Sequence, residues 1–119
     1  MNPKDFDANC LFCKIIAGEI PSKMVYKDKE IVAFADINPA APVHMMVVPV
    51  KHIVSLASMS EKDTPVVGKM TAVANKVAKE QGIAEKGYRL IINSGPEAGQ
   101  VIQHLHMHLL GGRELKWEQ

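Results

Sequence analysis

Imidazole and aliphatic side chains alternate without a break through His104-Leu105-His106-Met107-His108-Leu109. Successive side chains of an extended strand point to opposite faces, so this pattern sends three histidines one way and Leu105, Met107 and Leu109 the other. A fold that satisfies it must bury one face of the last strand against a core, under a long helix, and keep the other face for three polar rings. A lone histidine on a strand is ordinarily a partly exposed polar residue. Three in strict register, in a chain with five histidines altogether, point to chemistry.

The order of elements is short helix, three strands, long helix, two strands, which is an α+β arrangement in a single domain spanning residues 1–119. Asn9 caps a first helix that runs through Ala17, with Leu11, Phe12, Ile15 and Ile16 on one side and Gly18 and Pro21 ending it. Lys23 to Lys27 and Glu30 to Asp36 form a hairpin around Asp28-Lys29, and His44 to Val50 is a third, more fully buried strand with Pro49 near its end. Thr64 caps the long helix, with Pro65 at its first position and its end before Gly82. Val66, Met70, Val73 and Val77 recur at steps of four, three and four residues and so make one apolar face. Tyr88 to Asn93 is strand four. A loop over residues 94–99 leads to a last strand from Val101 to Leu110, stopped by Gly111-Gly112.

Fourteen Lys and Arg against thirteen Asp and Glu leave a net charge of +1, which excludes a polyanion binder driven by bulk charge. With 47% hydrophobic and 23% charged residues, the composition is that of a globular domain rather than a disordered chain. No apolar run approaches the roughly 18 residues of a membrane helix, and MNPKDFDANC lacks the basic and apolar regions of a secretory leader. The expected location is the cytoplasm. Cys10 and Cys13 are too few for a disulfide framework there. Their C-x-x-C spacing is half of a tetrahedral zinc site, the alternative being two thiols packed on an amphipathic helix. The histidine run cannot itself close a three-histidine zinc site, because its outer members lie roughly 13 Å apart along a strand whereas zinc ligands sit about 2 Å from the metal.

The segment from His104 to Leu110 resembles the signature of the histidine-triad family, and Gly99-Gln100 and Gly111-Gly112-Arg113 around it resemble the family's Hint branch, the nucleoside phosphoramidases. Phe12 to Ile16, Gly18 to Pro21, Phe34 to Pro39, Ala41 to His44 and Pro49 to Ile53 resemble further blocks of that branch in the same order. The resemblance implies a five-stranded antiparallel sheet with one long and one short helix, and sheets joined across a homodimer. It also implies hydrolysis of purine nucleoside phosphoramidates such as AMP-lysine. In that chemistry His106 attacks phosphorus to form a covalent nucleotidyl intermediate, and no cofactor is required. A neutral imidazole suits the role, provided its second nitrogen donates to a fixed acceptor, expected to be backbone.

By the same resemblance His104 and His108 orient the nucleophile and stabilise charge on the phosphate oxygens, with His44 a fourth histidine beside them, in a structural or a catalytic role. Asp36 accepts the ribose hydroxyls, Leu11, Phe12, Ile15, Phe34 and Ile37 wall the purine, and Asn93 lies near ribose and phosphate. Backbone N–H groups of Gly99, Gln100 and Val101 aim at the phosphate. Many members have serine where this chain has Val101, so a hydroxyl is missing. Cys10, Cys13, His52 and His104 are implied as ligands of a structural zinc, and Trp117 as a tail residue that reaches the partner subunit's site. Two other functions share these features: cleavage of dinucleoside polyphosphates by the same covalent chemistry, and nucleotide-responsive binding of a protein partner. Neither nucleic acid nor membrane is an expected partner.

Overall fold

Asp28 closes the first hairpin by local bonding: its Oδ1 accepts from the N–H groups of Glu30 and Ile31, and its own N–H donates to the Ile31 carbonyl. Such self-bonding is what fits a short polar side chain to a turn. The computed structural model describes residues 6–117, so half of the amino-terminal stretch inspected for a leader, residues 1–5, lies outside the described residues. In chain order the main elements are α1 (Leu11–Ile16), β1 (Met24–Lys27), β2 (Ile31–Ala35), β3 (Val43–Pro49), α2 (Thr64–Glu80), β4 (Tyr88–Ile91) and β5 (Met107–Gly111). Short 3-10 turns occupy Glu61–Asp63 and Pro96–Ala98. The sheet runs β1-β2-β3-β5-β4, with antiparallel pairing throughout.

Both faces of the sheet are covered, which explains why β2 and β3 are apolar at nearly every position. Ile31, Ala33, Met45, Val47, Leu105, Met107 and Leu109 pack with Met70, Val73, Ala74 and Val77 of α2. On the opposite face Val32, Phe34, Met46 and Val48 pack with Phe12, Cys13, Ile15 and Ile16 of α1. The alternation read from the last strand is therefore realised, with its aliphatic members under the long helix. No helix of the described residues is long and apolar enough to cross a membrane.

Several boundaries differ from expectation, the main ones for local reasons. Cys10, not Asn9, caps α1: its sulfur accepts from the Cys13 N–H at 3.3 Å, while the Asn9 N–H is turned to Asp7 Oδ1. Helix α2 grows directly out of the Glu61–Asp63 turn, so Thr64 is its first residue rather than its cap. The Asp63 carboxylate, which might have capped it, accepts instead from Lys51 Nζ at 2.8 Å. Strands β4 and β5 are shorter than the pattern suggested, because the ladder ends where Val47 faces Met107 and Ile91 faces His108. Residues 104–106 lie outside the ladder, with the chain bent at His104, and are held by the Leu105 N–H on the Ile53 carbonyl at 2.6 Å.

Leu109 lies at the centre of the sheet, fully buried between its neighbours and α2. Leu109→Ala should lower unfolding free energy by about 2–5 kcal/mol, the range for emptying a buried leucine site. Urea denaturation would report it as a lower midpoint at unchanged slope.

Candidate active site and metal cluster

Backbone partners place the lone pairs and protons on three histidines, and one of these three sets a fourth. Burial holds His44, His104, His106 and His108 below the ordinary imidazole range, with His104 and His108 each pushed down to about 4, so these four rings are neutral at pH 7 and carry one N–H. A carbonyl oxygen can only accept a hydrogen bond. His106 Nδ1 lies 2.6 Å from the His104 carbonyl, so Nδ1 bears the proton and the lone pair is on Nε2. The expected backbone acceptor for His106 is thus the residue two positions before it.

A second chain of bonds orients His108. The Ala40 N–H donates to His44 Nδ1 at 3.0 Å, which leaves the His44 proton on Nε2. That Nε2–H donates to His108 Nδ1 at 2.9 Å, with Asp36 Oδ2 next nearest at 3.4 Å. The proton of His108 is therefore on Nε2. Asp36, His44 and His108 come close enough to suggest a metal site, but the arrangement does not fit one. The His44 nitrogen facing the other two residues holds a proton, because its Nδ1 lone pair is already used by Ala40.

His106 and His108, ring centroids 5.1 Å apart, both line a cavity of about 530 Å³. Phe12 stands edge-on to His106 at 5.1 Å and to Phe34 at 5.5 Å, so one aromatic ring both walls the cavity and steadies the imidazole. Leu11, Ile15, Phe34, Asp36, Ile37, Asn93, Gly99 and Val101 also line the cavity. Ile37 and Val101 are 90% and 83% exposed and form an apolar rim. Ile20, Pro21, Ser22, Met46 and Ile102 are also part of the wall. Sequence reasoning passed over these because they belong to irregular segments or to the core face of β3.

Two expectations need correction. Gln100 does not face the cavity: its side chain is buried as a brace, Oε1 accepting from the Gly95 N–H and Nε2 donating to the Val54 and Ile102 carbonyls. The N–H groups of Gly99 and Gln100 are also engaged, on Pro96 and Gly95 carbonyls, because the glycine loop folds into a 3-10 turn. His104 does not face the cavity either. Its ring is fully buried, its Nε2–H donates to the Pro49 carbonyl at 2.8 Å, and it serves His106 through its carbonyl rather than its imidazole.

The remaining lone pair of His104, on Nδ1, turns to a different cluster. It lies 3.2 Å from Cys10 Sγ, 3.5 Å from Cys13 Sγ and 3.2 Å from His52 Nδ1, and His52 Nδ1 is 3.3 Å from Cys13 Sγ. The four donor atoms lie within 4.8 Å of one another. Two thiols and two imidazole nitrogens converging from α1, the segment after β3 and the segment before β5 are the donor set and spacing that a tetrahedral ion such as zinc takes. His52 Nε2 faces Asp7 Oδ2 at 3.8 Å, an outer partner of the sort that orients metal-bound histidines. Burial pushes the Cys13 thiol up to about 11, so in the absence of a cation it keeps its proton.

The HIT domain family model matches residues 17–115. The purine nucleoside phosphoramidase of Escherichia coli strain K12 is 48% identical over 105 residues, covering 88% of each chain. The 14 kDa zinc-binding protein of Zea mays is 46% identical over 113 residues, covering 93% of this chain and 88% of that one. Among solved structures, the HIT family hydrolase from Clostridium thermocellum superposes with a TM-score of 0.90 at 49% identity, covering 92% of this chain and 96% of its own.

His108 supplies a pH test of the site's electrostatics. Burial is the main cause of its low value, the neighbouring His106 and His44 rings add to it, and Asp36 opposes it. A neutral ring favoured in the fold contributes stability that is fully present above the unfolded value near 6.5 and is lost as pH falls towards about 4. The urea midpoint should drop across that window, and the drop should be shallower in His108→Asn.

Proposed function

The chain belongs to the HIT domain family, and from that footing we propose that it hydrolyses the P–N bond of purine nucleoside 5′-phosphoramidates, AMP-amine conjugates such as AMP-lysine among them. One observation carries the reading: the His106 Nδ1–H bond to the His104 carbonyl leaves a neutral Nε2 lone pair in the wall of a nucleotide-sized cavity. Asp36, at the cavity wall with Oδ1 tied to the Asn38 N–H, is suited to accept ribose hydroxyls. Leu11, Phe12, Ile15, Phe34 and Ile37 supply the apolar surface for the purine, and Asn93 lies beside them for ribose and phosphate.

His106 Nε2 attacks phosphorus, forming a P–N bond to the enzyme as the bond to the amine breaks. The departing nitrogen takes its proton from solvent, while His108 Nε2–H, held in place by the chain from Ala40 through His44, donates a hydrogen bond to the phosphoryl group. Val101 has no hydroxyl to relay that proton. Water then cleaves the nucleotidyl-imidazole, releasing the nucleotide and restoring His106. None of these steps calls on a cofactor.

Cys10, Cys13, His52 and His104 are proposed as a structural zinc site, in line with the zinc-binding relative from maize. When bound, the ion would cross-link the start of α1 to the segment after β3 and the segment before β5. A cleft of about 400 Å³ lined by Asp7, Cys10 and His52 offers a route to it. We also assign to the chain a twofold dimer in which α2 and β4, one of the sheet's two edge strands, meet their copies, and Trp117, 92% exposed in the single chain, reaches the neighbouring site.

Incubation with an AMP-amine substrate, an acid-free quench and peptide mass spectrometry should find an adenylyl increment on the His106 peptide. In His106→Ala that increment should vanish and turnover should fall by more than about a thousandfold. A wild-type rate in that variant would sink the reading, and preferential cleavage of a diadenosine polyphosphate would redirect it. Separately, chain purified without added metal should hold close to one zinc. Chelation or Cys13→Ser should remove the metal and lower the melting temperature by on the order of 10 °C.

A further inference from the structure

We infer that Arg113 is a positioning residue for the proposed reaction: it anchors Ala40, whose N–H sets the tautomer of His44 and so the direction of the donor chain into His108. The inference rests on the phosphoramidase reading only for its kinetic consequence; the anchoring itself is independent of substrate.

The connection between β2 and β3 is anchored at its far end by buried Ala41 and by Pro42 against Gly112, but not at Ala40 itself. Ala40 is exposed, so packing does not locate it. At the near end, Asp36 is tied by its own N–H to the His44 carbonyl at 3.0 Å and by Oδ1 to the Asn38 N–H at 2.8 Å. Ala40 has two polar contacts. One is its N–H on His44 Nδ1 at 3.0 Å. The other is its carbonyl, which accepts from Arg113 Nη2 at 2.8 Å.

The chain around Arg113 is built for that reach. Gly112 has φ +94 and lies so close to the connection that a Cβ there would stand 2.8 Å from Pro42 Cβ. The end of β5 therefore crosses flat over Pro42, which requires glycine twice over, by conformation and by space. Arg113 Nη1 donates to the Glu114 carbonyl at 2.9 Å, fixing the guanidinium in its fork while Nη2 holds Ala40. Arg89, which donates to the Lys116 carbonyl at 2.6 Å, secures the tail farther along without touching the connection.

The consequence follows from the tautomer argument. If Ala40 drifts, His44 Nδ1 loses its donor and the His44 proton is free to occupy either nitrogen. With the proton on Nδ1, Nε2 can no longer donate to His108, and His108 no longer presents a fixed N–H on Nε2. Asp36, bonded at its own end, stays in place.

The test uses the full chain with 15N-labelled histidine, in wild type, Arg113→Ala, Arg113→Lys and Arg89→Ala. In wild type the His44 ring signals should be those of an imidazole protonated at Nε2 with Nδ1 as acceptor. Arg113→Ala should give mixed tautomers at His44, together with a fall in kcat of about tenfold and a KM for the nucleotide substrate within about twofold. Arg113→Lys, which retains one donor, should recover part of both. Arg89→Ala should keep the wild-type His44 signals. Wild-type signals in Arg113→Ala would overturn the inference whatever the kinetics, as would equal disturbance in Arg89→Ala or an unchanged kcat beside mixed tautomers. Should the chain not cleave phosphoramidates at all, mixed tautomers confined to the Arg113 variants would still support the anchoring, and only the proposed function would fail.

Discussion

A single hydrogen bond, from His106 Nδ1 to the carbonyl two residues earlier, connects the two halves of this molecule's chemistry. It leaves His106 Nε2 with its lone pair at the cavity. It also makes the backbone of His104 part of the active site while the ring of His104 belongs to the cysteine cluster behind it. That ring is itself pinned by Nε2–H to the Pro49 carbonyl. Pro49 ends β3, past the Val47–Met107 pair where the ladder with β5 stops, so its carbonyl is open to a side chain there. Residues 104–106 thus replace ladder bonds with imidazole bonds, and the placement of the His106 ring depends on that substitution.

Burying several imidazoles beside an aromatic wall is costly unless each polar atom finds a partner. Among the described residues no buried side-chain nitrogen or oxygen lacks one. Three of the partners are backbone groups, the carbonyls of His104 and Pro49 and the N–H of Ala40. Backbone partners resist substitution and move little, so they preorganise the rings more firmly than exposed side chains would. Helix α1 divides its labour in the same way. Cys10 and Cys13 point into the donor cluster, whereas Leu11, Phe12 and Ile15 face the cavity, and six helical residues with their cap serve both.

Much of the fold was legible because its patterns have short periods. The apolar steps from Val66 to Val77 declared α2, alternation declared the face carried by Leu105, Met107 and Leu109, and Asp28 marked the hairpin. Boundaries were less legible. Nothing local to residues 101–106 says that β3 and β4 end before reaching them, and Asn9 looks a better cap than Cys10 until Asp7 engages its N–H. The candidate site was legible where side chains converge, as His106, His108 and Asp36 do at one cavity. It was misread where backbone bonding decides, as at Gln100, which braces the loop, and at the N–H groups of Gly99 and Gln100, which the 3-10 turn consumes.

Taken alone, the order of residues determined that three imidazoles share one face of an extended segment, that a long amphipathic helix covers the other, and that two thiols lie one helical turn apart. These are consequences of periodicity, a property of neighbours along the chain. Which nitrogen of each ring bears a proton, and that His104 turns to the cysteines while His106 and His108 turn to the cavity, were decided by carbonyls and amides far away in sequence. Tautomers are set by hydrogen-bond partners in space, and those partners exist only once β3, β5 and the Ala40 connection have been brought together.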